Sequence, residues 1–331
     1  MIDSNSQSLA DVYERVRHVV TEPEWQLFAP LIAEINRLKR ERSAVILAHN
    51  YQAAVIYHGI ADITGDSLQL AAKARDAQAE VLVVCGVHFM AETAKLLNPD
   101  ATVILPHMGA GCSLADSITA ADVLELRARY PGVPVVSYVN TSAAVKAVSD
   151  ICCTSSNAVQ VVESLGASRV IFLPDEHLAR FVASQTETEI IAWSGECIVH
   201  VEFRADEMRA LRRQYPEIKI IAHPECRDEV LREADYVGST TGLVDYIAAH
   251  RPPRVALITE CTMADNVAAE FAGIEFIQPC ALCPYMKRIT LEAVRDSLLS
   301  LQPQIEIAPE VAHGARQAVG RMLGVAPGVR R

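Results

Sequence analysis

Aromatic residues are scarce in this chain, 5% against 50% hydrophobic residues overall, so its core must be built from aliphatic side chains. Such a composition suits layered α/β architecture better than an all-β sandwich. Long apolar runs are missing too: none spans a bilayer, and the polar start MIDSNSQSLADVYERV has no signal-peptide core. No membrane association is expected, and the expected location is the cytoplasm, where thiols stay reduced. Positive charge is in deficit, with 30 Lys and Arg against 41 Asp and Glu, so no basic face is expected for nucleic acid. Small anions are not excluded, because free N–H groups at helix starts bind phosphate or carboxylate without lysine. A Walker loop is absent, and Gly109-Ala110-Gly111 is too short for a dinucleotide fingerprint. The only CxxC is Cys280-Ala-Leu-Cys283, which gives a four-cysteine structural zinc site little support. Nine cysteines, an odd number in 331 residues, do not read as a disulfide framework.

What is present is a repeat. Cys112, Cys197 and Cys283 stand 85 and 86 residues apart, followed by SLADSITAADVLELRARYP, IVHVEFRADEMRALRRQYP and PYMKRITLEAVRDSLLSLQP. Three apolar runs end in polar residues two apart: His49 and Tyr51, Tyr138 and Asn140, His223 and Glu225. Residues i and i+2 of a strand share a face, so each pair can meet one pocket. Small-polar turns follow at Ser67, Ser155 and Ser239, then further strands (EVLVVCG, RVIFLPD, RVALITE) and helices before each cysteine. Each unit reads β-α-β-α-β-α. The expected fold is α/β, with three pseudo-threefold-related three-layer domains whose short parallel sheets surround a central cluster site. The expected units are 1–125, including N-terminal helices, then 126–211 and 212–303. The helical tail 304–331 is expected to pack on the first unit, which lacks a preceding cysteine helix, with APGVRR frayed at its end.

Most of the cysteines have an ordinary explanation as small buried hydrophobes: Cys85, Cys152, Cys153, Cys226 and Cys261 fall in or beside apolar strands. Cys112, Cys197 and Cys283 differ, being equivalent by the repeat and set in Gly- or Pro-bearing loops (GAGC, SGEC, CALCP) at strand ends. Three thiolates on one axis suit a metal or iron–sulfur centre with one open position. A competing reading takes His223-Pro-Glu225 and Cys280/Cys283 as the H-x-E…P-C-x-x-C of a zinc deaminase or hydrolase, but it leaves Cys112 and Cys197 unexplained. A third takes the chain as a non-catalytic iron–sulfur sensor. The serines can be plain helix caps, and the strand-end residues satisfied core groups. As a set they supply a base, proton carriers and donors: Glu225 as base if apolar walls raise its pKa toward neutrality, His49 and His223 to orient or protonate a carbonyl or leaving hydroxyl.

The motifs AHNYQ (48–52), GDSLQLA (65–71), FMAETAKLLNP (89–99), YVNTSAAVKA (138–147), GECIVHVEF (195–203), AHPEC (222–226), VGSTTGL (237–243) and CPYMK (283–287) cover nearly the whole chain. Together they resemble the quinolinate synthase family. The resemblance implies a 4Fe–4S cluster on Cys112, Cys197 and Cys283, its fourth iron free to act as a Lewis acid. The implied reaction condenses iminoaspartate with dihydroxyacetone phosphate, releases phosphate and water, and closes the ring of quinolinate on the route to NAD. L-aspartate oxidase is the implied source of the imine. Catalytic roles fall to Glu225, His223, Tyr51, Tyr138 and His49. Substrate contacts fall to His49, Ser67, Tyr138, Asn140, Ser155, His223, Glu225, Ser239 and Thr240. Some relatives carry CxxCxxC where this chain has Ile277 first, so a thiol–disulfide switch through that pair is not expected.

Overall fold

The computed structural model describes residues 8–77 and 79–325; the APGVRR end lies outside them. Its strands are β1 (Ala44–His49), β2 (Ile63–Gly65), β3 (Val81–Cys85), β4 (Thr102–Ile104), β5 (Val135–Tyr138), β6 (Ile151–Cys153), β7 (Arg169–Leu173), β8 (Glu189–Ala192), β9 (Lys219–Ala222), β10 (Tyr236–Val237), β11 (Arg254–Ile258) and β12 (Glu275–Ile277). They form three four-stranded sheets of one order, β2-β1-β3-β4, β6-β5-β7-β8 and β10-β9-β11-β12, with parallel pairing throughout. The α/β expectation of short parallel sheets in three domains is met. Helices cover both faces, so a central strand such as β3, VLVVC, is apolar and buried at every position.

Each domain repeats one electrostatic fastening. Asp62, Asp150 and Asp235 accept the backbone N–H groups of Ile46, Val135 and Ile220 at 2.8, 2.7 and 2.9 Å. The same carboxylates meet Lys39, Arg127 and Arg212 at 2.8, 2.7 and 2.8 Å. Arg127 lies on the helix Ala120–Arg129 that follows Cys112, and Arg212 on Ala205–Gln214 that follows Cys197. Each cysteine helix thus crosses to cover the next domain. In the first domain Lys39 comes from Glu22–Glu41, so the N-terminal helix occupies the position that the repeat leaves open there.

The tail is shared between the first domain, where it was expected, and the second. With Glu22–Glu41 already in position, the tail only borders the first sheet, where Ile305 N–H donates to Val103 O at 2.8 Å. Its helix Pro309–Leu323 then packs mainly on Ala143–Ala147 and β6 of the second domain, meeting the first through His88–Leu97. The close approach depends on Gly314, where a Cβ would lie 2.5 Å from the Ala147 carbonyl oxygen. The helix after Cys283, Leu291–Ser300, lies on Glu22–Glu41 and contributes Leu291, Val294 and Leu298 to the core that holds β1 and β3. Burying each of these side chains contributes on the order of 1.5–3 kcal/mol. The expected boundaries at 125/126 and 211/212 run through the crossing helices Ala120–Arg129 and Ala205–Gln214.

Candidate active site

The carboxyl ends of β1, β5 and β9 converge on one cavity of about 740 Å³ of non-atom space, part of it open to solvent. Its lining joins His49, Tyr51 and Ser67 from the first domain with Tyr138, Asn140 and Ser155 from the second, and His223, Glu225 and Thr240 from the third. Cys112, Cys197 and Cys283 line the same cavity. Strand ends of parallel sheets are where such folds bind ligands.

One backbone bond sets all three cysteine loops. The N–H groups of His88, Glu176 and Cys261, just beyond β3, β7 and β11, donate to the carbonyls of Ala110, Gly195 and Ala281 at 2.7, 2.9 and 3.2 Å. Each acceptor lies two residues before its cysteine. Gly195 cannot be replaced without movement, since a Cβ there would come within 2.5 Å of the Pro174 carbonyl. The third loop has extra support: Glu260 accepts the Cys283 N–H at 3.3 Å and pairs with Lys287 at 3.0 Å. Burial pushes the thiol of Cys112 up to about 12, and those of Cys197 and Cys283 upward as well. His200 Nδ1 lies 3.2 Å from Cys197 Sγ, and the Lys287 ammonium works against the rise at Cys283. Three thiols on one cavity lining, with no fourth thiol there among the described residues, are a donor set that fits a three-cysteine metal cluster.

Two cysteine expectations need correction. Cys261 is not simply a packed thiol but is disulfide-bonded to Cys280, their Cα atoms 5.0 Å apart. The Cys261 N–H bond to Ala281 draws the two segments together, so the fold contains a pairing that the reduced-thiol expectation omitted. The bond also occupies one of the two sulfurs that the zinc-deaminase reading needs.

Beside the thiols runs a chain of short contacts across the domains. Tyr51 Oη lies 2.6 Å from Thr259 Oγ1, which lies 2.9 Å from His200 Nε2. His200 Nδ1 meets Glu225 Oε2 at 2.8 Å, and the Tyr138 hydroxyl donates to Glu225 Oε1 at 2.6 Å. Burial pushes the Glu225 carboxyl up, but His200, His223 and the Tyr138 hydroxyl more than offset it and hold it well below the usual range. The expected rise toward neutrality is therefore overturned: the walls around Glu225 are imidazole and phenol, not hydrocarbon. Burial raises Tyr51 and Tyr138 well above the phenol range, reinforced by Glu225, so both stay protonated. Burial lowers His49 to about 4 and His223 to about 3, leaving both neutral near pH 7. Their Nδ1 atoms accept the N–H groups of Tyr51 at 3.2 Å and Glu225 at 3.4 Å, which puts the ring proton on Nε2.

The serine turns divide. Ser155 Oγ lies 3.2 Å from His223 Nε2, and Thr240 Oγ1 accepts from Asn50 Nδ2 at 2.9 Å. Ser239 is off the cavity wall and caps its helix, accepting the Gly242 N–H at 3.2 Å. Between the turns, the Asp66 carboxylate accepts the hydroxyls of Ser156 at 2.9 Å and Thr241 at 2.7 Å, joining all three domains. His200, Thr259 and Asp66 escaped the sequence reading. His200 had a usable signal: the positions three beyond Cys112 and Cys283 are Ala115 and Met286, so an imidazole at the equivalent place breaks the repeat. Cys197 Sγ, a His200 ring nitrogen and a Glu225 oxygen lie within 4.8 Å of one another, close enough to share a metal ion.

Comparison with known proteins follows this geometry closely. The family described as "Quinolinate synthetase A protein" matches residues 33–324. "Quinolinate synthase 1" of Mesorhizobium japonicum is 60% identical over 318 residues, covering 96% of this chain and 98% of that protein. "Quinolinate synthase" of Agrobacterium fabrum is 57% identical over 318 residues, at 96% and 92% coverage. That of Caulobacter vibrioides is 53% identical over 322 residues, at 96% and 88%.

Proposed function

This chain belongs to the quinolinate synthetase A protein family, and we propose that it makes quinolinate for NAD biosynthesis by condensing iminoaspartate with dihydroxyacetone phosphate, releasing phosphate and water. The observation that carries this reading is the meeting of three repeat-equivalent thiols and an acid–imidazole–phenol group in one cavity. Cys112, Cys197 and Cys283 would hold a 4Fe–4S cluster, which would supply an iron without a protein ligand as a Lewis acid.

The chain's own residues account for binding and proton movement. Glu225, ionised and within the cavity wall, takes the proton that carbon–carbon bond formation requires a substrate carbon to lose. Tyr138, bonded to that carboxylate, and Tyr51, across the cavity, stay protonated and deliver protons to oxygens that gain charge or leave as water. His49 and His223 are neutral Nε2–H donors that hold a carbonyl or carboxylate without being titrated by it. Ser67, Asn140, Ser155 and Thr240 contact the carboxylates and the triose phosphate. Ser239, a cap, acts only by fixing its helix. The set supplies neutral donors for anionic substrates in a protein of net charge −11. Iminoaspartate hydrolyses readily in water, so an L-aspartate oxidase in the same cytoplasm is the fitting source. No helix among the described residues is long and apolar enough to cross a membrane.

The test is an anaerobic assay of the reconstituted protein with iron, sulfide and zinc counted in the same sample. Four irons and four sulfides per chain with quinolinate as product is the expected result. One zinc and no iron would instead favour a mononuclear site at Cys197, His200 and Glu225. A cluster with no quinolinate formed would favour the sensor.

A further inference from the structure

Lys146 is the largest fully buried side chain among the described residues, and none of the roles above uses it. It sits on the short helix Ala143–Ala147, at 0% exposure, and forms no ion pair among the described residues. A buried amine without a carboxylate partner is costly and seldom kept by accident. Its Nζ reaches back instead to two backbone carbonyls, Val139 O at 2.8 Å and Thr141 O. Those carbonyls belong to the residues on either side of Asn140. Asn140 lines the cavity, and its Oδ1 is buried with no hydrogen-bond partner in the protein. An amide oxygen held in that state is open to a donor, from a water or from a bound substrate. The hydrocarbon stem of the lysine lies under the same wall, with Nζ 5.5 Å from the ring centroid of Phe89, another cavity residue.

We propose that Lys146 is a positioning residue that clamps the Val139–Thr141 turn from behind and so aims the Asn140 amide at the substrate. The turn needs such a clamp. Its other ties are the Val139 N–H to Cys153 O at 2.9 Å and the Thr141 hydroxyl to Tyr138 O and Ser137 Oγ, both at 3.0 Å; none of these engages the carbonyls flanking Asn140, which Lys146 holds from a helix of five residues. Two N–H bonds to the carbonyls flanking Asn140 fix the backbone on both sides of it. An ammonium and a neutral amine can each donate both bonds, so the clamp works in either charge state. Burial lowers the pKa of Lys146, while Cys152, Glu92 and Cys112 act in the opposite direction.

The inference rests on the cavity being the reaction site, and the experiment separates the two. Equilibrium binding of quinolinate to the anaerobic holoenzyme reports on the clamp, and quinolinate formation reports on the reaction. In Lys146→Met the methionine fills the space without donating, so quinolinate binding should weaken tenfold or more and KM should rise by a similar factor. The thermal midpoint and the cluster absorbance should hold or improve. Lys146→Gln, which keeps one donor, should fall between. Because Lys146 acts through Asn140, Asn140→Ala combined with Lys146→Met should bind no more weakly than Asn140→Ala alone. Wild-type affinity in both lysine variants, fully multiplying losses in the double variant, or failure of both lysine variants to fold would overturn the proposal. A wild-type holoenzyme that binds quinolinate but forms none would count against the reaction instead.

Discussion

The cysteine loops and the strand-end side chains line the same cavity yet treat the threefold repeat in opposite ways. Each cysteine loop is set by the same bond, from just beyond the third strand of its domain to the carbonyl two residues before the thiol. The strand ends, at equivalent positions, carry His49 and Tyr51, then Tyr138 and Asn140, then His223 and Glu225. A cluster held by three like ligands benefits from symmetry. An unsymmetrical condensation of two different molecules does not, and its acids, bases and donors must differ from one domain to the next. On the proposed function, the repeat would build the ligand set, and departures from the repeat would build the chemistry.

This division is open to test, and the largest effects belong to the symmetric half. Cys112→Ala, Cys197→Ala and Cys283→Ala should each lose the cluster completely, with iron counts near zero, while Cys85→Ala keeps it. Unequal losses among the three would break the equivalence. On the asymmetric side, Glu225→Gln should retain the cluster but lower kcat by roughly 10²–10⁴. Thr259→Val removes the hydroxyl between Tyr51 and His200 and should cost about tenfold in kcat, with Thr259→Ser restoring most of it. Ser239→Ala should leave kcat unchanged and reduce stability by about 1 kcal/mol, the usual value of a cap, whereas Ser155→Ala should raise KM.

Acid sensitivity is a further expected asymmetry. His49 and His58 are held at about 4, and His223 at about 3, against roughly 6.5 in an unfolded chain. Below pH 6.5 the unfolded chain therefore binds protons that the folded protein does not. The stability these histidines confer is complete above pH 6.5 and is lost as pH falls toward 4 and then 3. Thermal midpoints measured between pH 7.5 and 4.5 should decline across that window, and His58→Phe, at a residue outside the cavity lining, should flatten part of the slope.

Much of the site was legible because symmetry leaves a period in sequence. The three cysteines, the strand-end pairs and the parallel α/β order all announce themselves as spacings near 85 residues. What escaped has no period. His200 and Thr259 act through contacts between domains, 59 residues apart along the chain. The disulfide joins Cys261 to Cys280, at positions where the other units carry no cysteine. Ser155 and Ser239 look alike as small-polar turns, and only the local backbone makes one a cavity residue and the other a cap. The tail's share in the second domain was hidden for a related reason: Lys39 substitutes for Arg127 and Arg212, but the helix that carries it has no cysteine to mark it as equivalent.

The crossing of each cysteine helix into its neighbour has a consequence for how the protein is made. The core around β1 and β3 includes Leu291, Val294 and Leu298, some 240 residues downstream of β1. A nascent chain emerging from the ribosome cannot close its first domain on its own, and its three thiols share no cavity until the last has been translated. A cluster on these three cysteines would therefore have nowhere to be loaded on an unfinished polypeptide, and the domains would close around it in the same step that completes its ligands.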